Sequence, residues 1–301
     1  MRVIVTNYTR FVRAALLLLF PMVMLAADLK IDHVTVAGKD LKAMQATLAA
    51  LGIPTEYGGP HSNHATEMAL TSFPDGSYLE LIAIQPKADP AAVAAHYWSS
   101  RMRSDAGPSA WAVRPQDFDF EVKRLQARNL AVQPARSGRA RPDGVRLDWE
   151  AAPVGPGPNG TSFPFLIRDF TLREQRAYPS GKPTTQDFSG VARVVIAVRN
   201  IKAAISRYRR AYDLEVPIRQ TDEKFGAHMA YFPGTPVVLA MPVNKDSWLA
   251  SRLDKIGEGP CAFILRARNA KSYRVSSQAT WFGTSISWLD TGKTGWWLGF
   301  Q

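Results

Sequence analysis

Two short apolar runs each carry one side chain that can bind a metal or move a proton: Asp32-His33-Val34-Thr35-Val36 and Ser77-Tyr78-Leu79-Glu80-Leu81-Ile82. An imidazole nitrogen and a carboxylate oxygen on neighbouring strands are two ligands of a Zn, Fe, Mn or Ni site. Without a metal, the same two side chains form a hydrogen-bonded pair lining a pocket. Glu80 is then a base for an activated C–H, and His33 sets its pKa. A purely structural pair is the third reading. Glu80 weighs against it, because an acid inside Tyr-Leu-Glu-Leu-Ile is costly to bury without a cation or donors. Between the two runs lie His61, His64 and Glu67, any two of which can complete a local ligand set with His33 and Glu80.

The other reactive residue types read more plainly. His96, in Ala-Ala-His-Tyr-Trp, and His228, on a strand, are expected at the surface or in packing. Cys261 is the only cysteine, so no intramolecular disulfide forms, and its apolar run Pro-Cys-Ala-Phe-Ile-Leu makes it a buried small hydrophobe. Arg136, Arg139, Arg141 and Arg146 form the densest basic cluster. It reads as a solvated loop or as a loop gripping an anion at a pocket mouth. No aromatics interleave with it, which argues against nucleic acid. Trp281, Trp288, Trp296 and Trp297 are expected as strand core.

These residues are positioned by a repeat read from helix caps. Asp40, Asp117, Asn200 and Asn269 each follow a strand-like run and precede an amphipathic stretch. Such side chains accept hydrogen bonds from the open N–H groups of a first helical turn. Leu41, Met44, Leu48 and Leu51 share one face behind the first cap; Phe118, Val122 and Leu125 do so behind the second. Ile201, Ala204, Ile205, Tyr208 and Tyr212 serve the third, and Tyr273, Ser277 and Trp281 predict a fourth. The caps are 77, 83 and 69 residues apart, room for a helix and four strands. Tight turns such as Pro74-Asp75-Gly76 and Pro233-Gly234-Thr235 join strand-like runs after the helices. The fold class expected is α+β: four βαβββ modules, paired into two domains of curled, mostly antiparallel sheet.

A chain of 301 residues at 46% hydrophobic content buries a good core. Residues 1–27 are expected to be a signal peptide. Arg2, Arg10 and Arg13 precede an uncharged run from Ala14 to Ala27, too short for a spanning helix, which needs about 20 residues. Cleavage near Ala26 or Ala27 would export the protein to the periplasm or medium, with no membrane span, and lower the net charge from +11 to +8. The domains expected are 28–172 and 190–301, with a linker over 173–189. The moderate positive charge favours an anionic small-molecule partner over nucleic acid.

The order of first strand, helix and hairpin strands, with His33 first and Glu80 last, resembles the vicinal oxygen chelate superfamily of glyoxalases, ring-cleaving dioxygenases and bleomycin-resistance proteins. The N-terminal half is similar to its glyoxalase-like branch. The carrying residues are Leu29-Lys-Ile-Asp-His33, Gly58-Gly-Pro-His61, Ala65-Thr-Glu-Met-Ala-Leu70 and Gly76-Ser-Tyr-Leu-Glu80. They continue with Ala110-Trp-Ala-Val-Arg114, Arg139-Ala-Arg-Pro-Asp-Gly144 and Phe163-Pro-Phe-Leu-Ile167. The resemblance implies metal ligands from the first and last strands of two paired modules. Position by position, the first strands offer His33, Ala110, Arg193 and Ala262, and the last strands offer Glu80, Phe165 and Ala240, with no carboxylate in the fourth. Two of the four usual ligands are therefore missing, since Ala and Phe bind no metal.

The function implied is a lyase, isomerase or dioxygenase acting on a small oxygenated metabolite, either metal-assisted or through the Glu80 carboxylate. The alternative is a non-catalytic protein that sequesters a small anion or antibiotic-like molecule in the same cup. Glu80 and His33 are the catalytic candidates. A divalent metal (Fe, Mn, Ni or Zn) would sit on His33 and Glu80, helped by His61, His64 or Glu67. His61, Trp111, Arg139, Arg141 and Phe163 are the candidates for substrate binding. The degenerate second domain is expected to serve packing, pocket closure or homodimer formation.

Overall fold

The computed structural model describes residues 29–269, 272–292 and 296–301; the expected signal segment lies outside them. Strand β1 (Ile31–Ala37) leads into helix α1 (Leu41–Ala50) and strands β2 (Glu56–Pro60), β3 (Thr66–Ser72) and β4 (Tyr78–Ile84). Short helices α2 (Pro90–Ala95) and α3 (Ser99–Arg103) connect to β5 (Gly107–Val113), α4 (Phe118–Ala127), β6 (Ala135–Ala140), β7 (Arg146–Ala152) and β8 (Phe165–Asp169). Helix α5 (Arg173–Ala177) lies in the segment expected as a linker, whose last two residues belong to β9. The second half runs β9 (Phe188–Ala197), α6 (Ile201–Tyr212), β10 (Ile218–Asp222), β11 (Ala227–Tyr231), β12 (Val237–Pro242), α7 (Trp248–Ile256), β13 (Gly259–Ala267), β14 (Val275–Trp281), β15 (Thr284–Leu289) and β16 (Trp297–Phe300).

The strands form two eight-stranded sheets of matching order, β2-β3-β4-β1-β5-β8-β7-β6 and β10-β11-β12-β9-β13-β16-β15-β14. In each, the first strands of two modules pair antiparallel at the centre, and each also pairs parallel with the last strand of its own module. This is the expected α+β architecture of paired modules. Asp40, Asp117 and Asn200 cap α1, α4 and α6 as read, each accepting from the backbone N–H three residues on. Among the described residues the fourth expected helix does not form: the stretch carrying Ser277 and Trp281 is β14. Spacing of four fits a strand as well as a helix, and the Phe282-Gly283 turn, both residues at positive φ, closes a hairpin onto β15.

One core joins the two sheets. Val34, Leu79 and Trp111 of the first meet Val194, Leu239 and Phe263 of the second, with α1, α4 and α6 packed on the same apolar mass. Each sheet keeps its other face for its own cup. The second cup is filled by Phe225, Trp281, Trp288 and Trp297, whose ring centroids lie 4.9–5.5 Å apart from their neighbours. These tryptophans are strand core, as expected. The first cup is not filled.

Candidate active site

The first cup encloses a cavity of about 370 Å³. Strand alternation decides what enters it. Tyr78, Glu80 and Ile82 of β4 face the cavity, whereas Leu79 and Leu81 enter the shared core. Phe165 and Ile167 face it from β8, and Ala135, Ser137 and Arg139 from β6.

Three of the expected residues converge there. His33 Nε2 lies 4.0 Å from one Glu80 oxygen and His61 Nε2 lies 3.7 Å from the other. The buried Thr35 hydroxyl donates to Glu80 Oε2 at 3.0 Å. It can do so because Thr35 and Glu80 are register partners across the parallel β1–β4 pair. His61 hangs from the loop after β2, its Nδ1 2.8 Å from the Thr66 hydroxyl. Burial pushes its pKa down from 6.5 to about 4, outweighing the pull of the Glu80 charge, so the ring is neutral at physiological pH.

Asp32 controls His33, and no pattern in the sequence announced it. The β1–β5 register shifts between Ile31 and His33, so Asp32 is the extra residue of a β-bulge. The bulge lets two consecutive side chains meet: His33 Nδ1 lies 2.6 Å from Asp32 Oδ1. Burial alone would raise the Asp32 pKa. The Arg173 and Arg176 guanidiniums, helped by His33, hold it well below the usual carboxylate range. Arg173 approaches Asp32 at 2.7 Å and Arg176 at 2.9 Å, both from α5. An ionised carboxylate only accepts, so Nδ1 of His33 bears the proton and Nε2 faces Glu80 and the cavity. Arg176 also donates to the Tyr78 hydroxyl at 2.7 Å, and the Tyr78 ring stacks on His33 at 4.8 Å.

The bulge recurs. Register shifts place Ser109, Ala192 and Cys261 as the extra residues of β5, β9 and β13, each just ahead of Ala110, Arg193 or Ala262. The backbone device is therefore fourfold, and only the first copy carries acid and imidazole. The same register puts Phe165 where Glu80 stands, as read from the sequence, but assigns Val238 rather than Ala240 in the third module.

Several expectations fail on position. Glu67 lies one residue out of phase with Met68, so it misses the cup and accepts instead from the Tyr57 hydroxyl. His64 is exposed in the turn before β3, away from the cavity wall. Trp111 alternates with Ala110 and Ala112 and is fully buried in the shared core. Phe163 packs on Tyr208 at 5.1 Å, so Phe165 is the aromatic residue that reaches the cup. Arg141 turns back to the Gln175 and Tyr178 carbonyls and to Asp143. Arg146 is exposed beside Asp148. His96, expected at the surface or in packing, lines the cavity with Tyr97 and Trp98. His228 is bonded to Thr221 and plays no part here. Cys261 is buried as expected, its thiol pushed up to about 12 by burial.

Two imidazoles and a carboxylate are donor types that suit a divalent ion. Their arrangement is less favourable. Among the described residues no group of three or more His, Cys, Asp or Glu side chains is arranged to hold a metal, and Ala110 and Phe165 occupy the partner positions. Among the described residues no helix is long and apolar enough to cross a membrane.

Comparison with known proteins agrees with this architecture. Residues 31–212 match the model of the glyoxalase-like domain. No curated protein matches the chain. A hypothetical protein from Staphylococcus aureus superposes with a TM-score of 0.62, over 90% of this chain and 98% of its own, at 14% identity. That likeness is one of fold. Methylmalonyl-CoA epimerase from Mycobacterium tuberculosis matches 38% of this chain and 89% of its own, at 20% identity and a TM-score of 0.34. The Streptomyces coelicolor epimerase bound to 2-nitronate-propionyl-CoA matches 36% and 94%, at 21% and 0.32.

Proposed function

This chain belongs to the glyoxalase-like domain family, and we propose that its first-sheet cavity performs proton transfer on a small oxygenated metabolite, as an isomerase or lyase, with Glu80 as the base. The supporting observation is the buried Glu80 carboxylate set between two imidazole Nε2 atoms and facing an open cavity. Glu80 takes a proton from carbon next to a carbonyl, and the electron pair moves onto the carbonyl oxygen. Neutral His61, with Nδ1 accepting from Thr66, donates its Nε2–H to that oxygen. His33, oriented by Asp32, receives or returns a proton at Nε2. Phe165, Ile82 and Ile167 keep the reacting carbon in apolar surroundings, where these charges act strongly.

His33 Nε2, His61 Nε2 and Glu80 are the donor types a divalent ion would use, but among the described residues no three such groups are arranged to hold one. No step above runs through it. We further propose export with cleavage near Ala26 or Ala27; N-terminal sequencing of the exported form would then start at Ala27 or Asp28.

The test is exchange of substrate C–H for deuterium, followed by proton NMR in D₂O over a panel of neutral and anionic carbonyl compounds. Exchange should occur with the wild type and vanish in a folded Glu80→Gln variant. Exchange that persists in Glu80→Gln, or none with any compound, overturns the proposal.

A further inference from the structure

Arg139 is a buried cation that forms no ion pair among the described residues. Its side chain is 5% exposed, and its one hydrogen bond runs from Nη1 to the Gly58 carbonyl at 2.7 Å. Among the described residues no acid lies within ion-pair distance of it. Its neighbour Arg176, equally buried, is neutralised by Asp32 and Asp169. Burying an unpaired charge is expensive, and the penalty is relieved when a counter-ion arrives. Burial does press on this group, pulling its pKa down from 12.5 to about 10, yet it remains charged at neutral pH.

The rest of the cavity has a different character. Trp149, on β7 beside Ser137 of β6, lines it with Trp98 and Phe165, and Tyr97 joins them half exposed. Arg136 lies exposed on β6 beside the opening, its guanidinium carbon 4.0 Å from the Phe170 ring centroid. The cavity thus offers a guanidinium and, besides the His33, His61 and Glu80 group, flat apolar surface on Trp98, Trp149 and Phe165. Glu80 acts electrostatically on Arg139 and so stands close to the charged end.

Building on the proton-transfer reading of this cavity, we infer that its substrate is an aromatic carboxylic acid, its carboxylate on Arg139 and its ring between Trp98, Trp149 and Phe165. A guanidinium matches a carboxylate in charge and planarity, which makes it a specific partner as well as an attractive one. The placement brings the carbon next to the acid group toward Glu80. Arg136 steers the anion inward.

Phenylacetate and phenylacetamide test this directly, since the two have nearly the same shape and differ in charge. Titration calorimetry of the full chain should give at least tenfold tighter binding of the acid. Arg139→Met should abolish that preference, while Arg139→Lys should keep part of it; circular dichroism checks that both variants fold. Equal affinity for the two probes, a preference unchanged in Arg139→Met, or no binding of either probe overturns the inference. Deuterium exchange on neutral carbonyl compounds without acid preference would leave proton transfer standing and remove the acid. Acid preference retained with no exchange would do the reverse.

Discussion

Replacing Asp32 by Asn tests the electrostatic centre of the first sheet. Asp32 is fully buried, bonded to His33 at 2.6 Å and paired with Arg173 and Arg176 at 2.7 and 2.9 Å. Asn keeps the volume, so no cavity term enters. Removing one partner of a buried ion pair costs about 3–5 kcal/mol. Asp169 still pairs with both arginines and recovers part of this, so the lower end, about 3 kcal/mol, is expected. For a chain of this length that lowers the thermal midpoint by about 5 °C. The sign with pH follows from the depressed carboxyl. Its stabilisation is fully present above the ordinary Asp value of 3.8 and is lost as pH falls through the lower folded value. The gap between wild type and variant should therefore stay constant from pH 8 to 5 and close only in stronger acid. Urea unfolding followed by tryptophan emission, at several pH values, measures it. The variant also frees His33 to move its proton to Nε2, and a wrong tautomer lowers rates by about 10⁴-fold in the serine-protease triad. A variant within about 0.5 kcal/mol of wild type at pH 7 would refute the reasoning, since mutations that break no buried feature stay inside that range.

Other outcomes follow from the same geometry. His61, neutral in the fold with a pKa of about 4 against 6.5 unfolded, favours stability above pH 6.5 and loses it as pH falls toward 4. The full swing is roughly 3 kcal/mol. His61→Gln should flatten the stability profile between pH 7 and 4.5, and an unchanged slope would count against this role. Gly107 has φ +67°, and a Cβ there would lie 2.7 Å from Trp296 Cδ1. Gly107→Ala should cost about 2–4 kcal/mol in urea unfolding, from backbone strain plus overlap; a near-neutral result would mean Trp296 yields freely. Elemental mass spectrometry of the purified chain should find Fe, Mn, Ni and Zn well below one equivalent, unaffected by His33→Ala with Glu80→Ala. A stoichiometric metal lost in that double variant would show that the three donors close into a cage.

Glu67 is one residue out of strand phase with Met68, whereas Phe163 lies two residues ahead of Phe165, before β8 begins, and turns into the shared core. Met68 on the cavity wall supplies the phase of β3, and the role already read for Phe165 could have displaced Phe163. His96 had no such signal: α2 and α3 present it to the cavity only after the chain folds back over the sheet.

What the sequence determined by itself is local. Asp40, Asp117 and Asn200 start helices because each satisfies N–H groups three residues away. His33 and Glu80 were legible because a charged or polar side chain in an apolar strand needs a partner. Tertiary structure alone decided the rest. Arg173 and Arg176 lie more than 140 positions from Asp32 in the chain, and the bulge that turns Asp32 toward His33 exists only once β1 pairs with β5. Second-cup aromatics close one cavity, while the first stays open around Glu80. Pair energies depend on distance and burial, and chain separation carries neither.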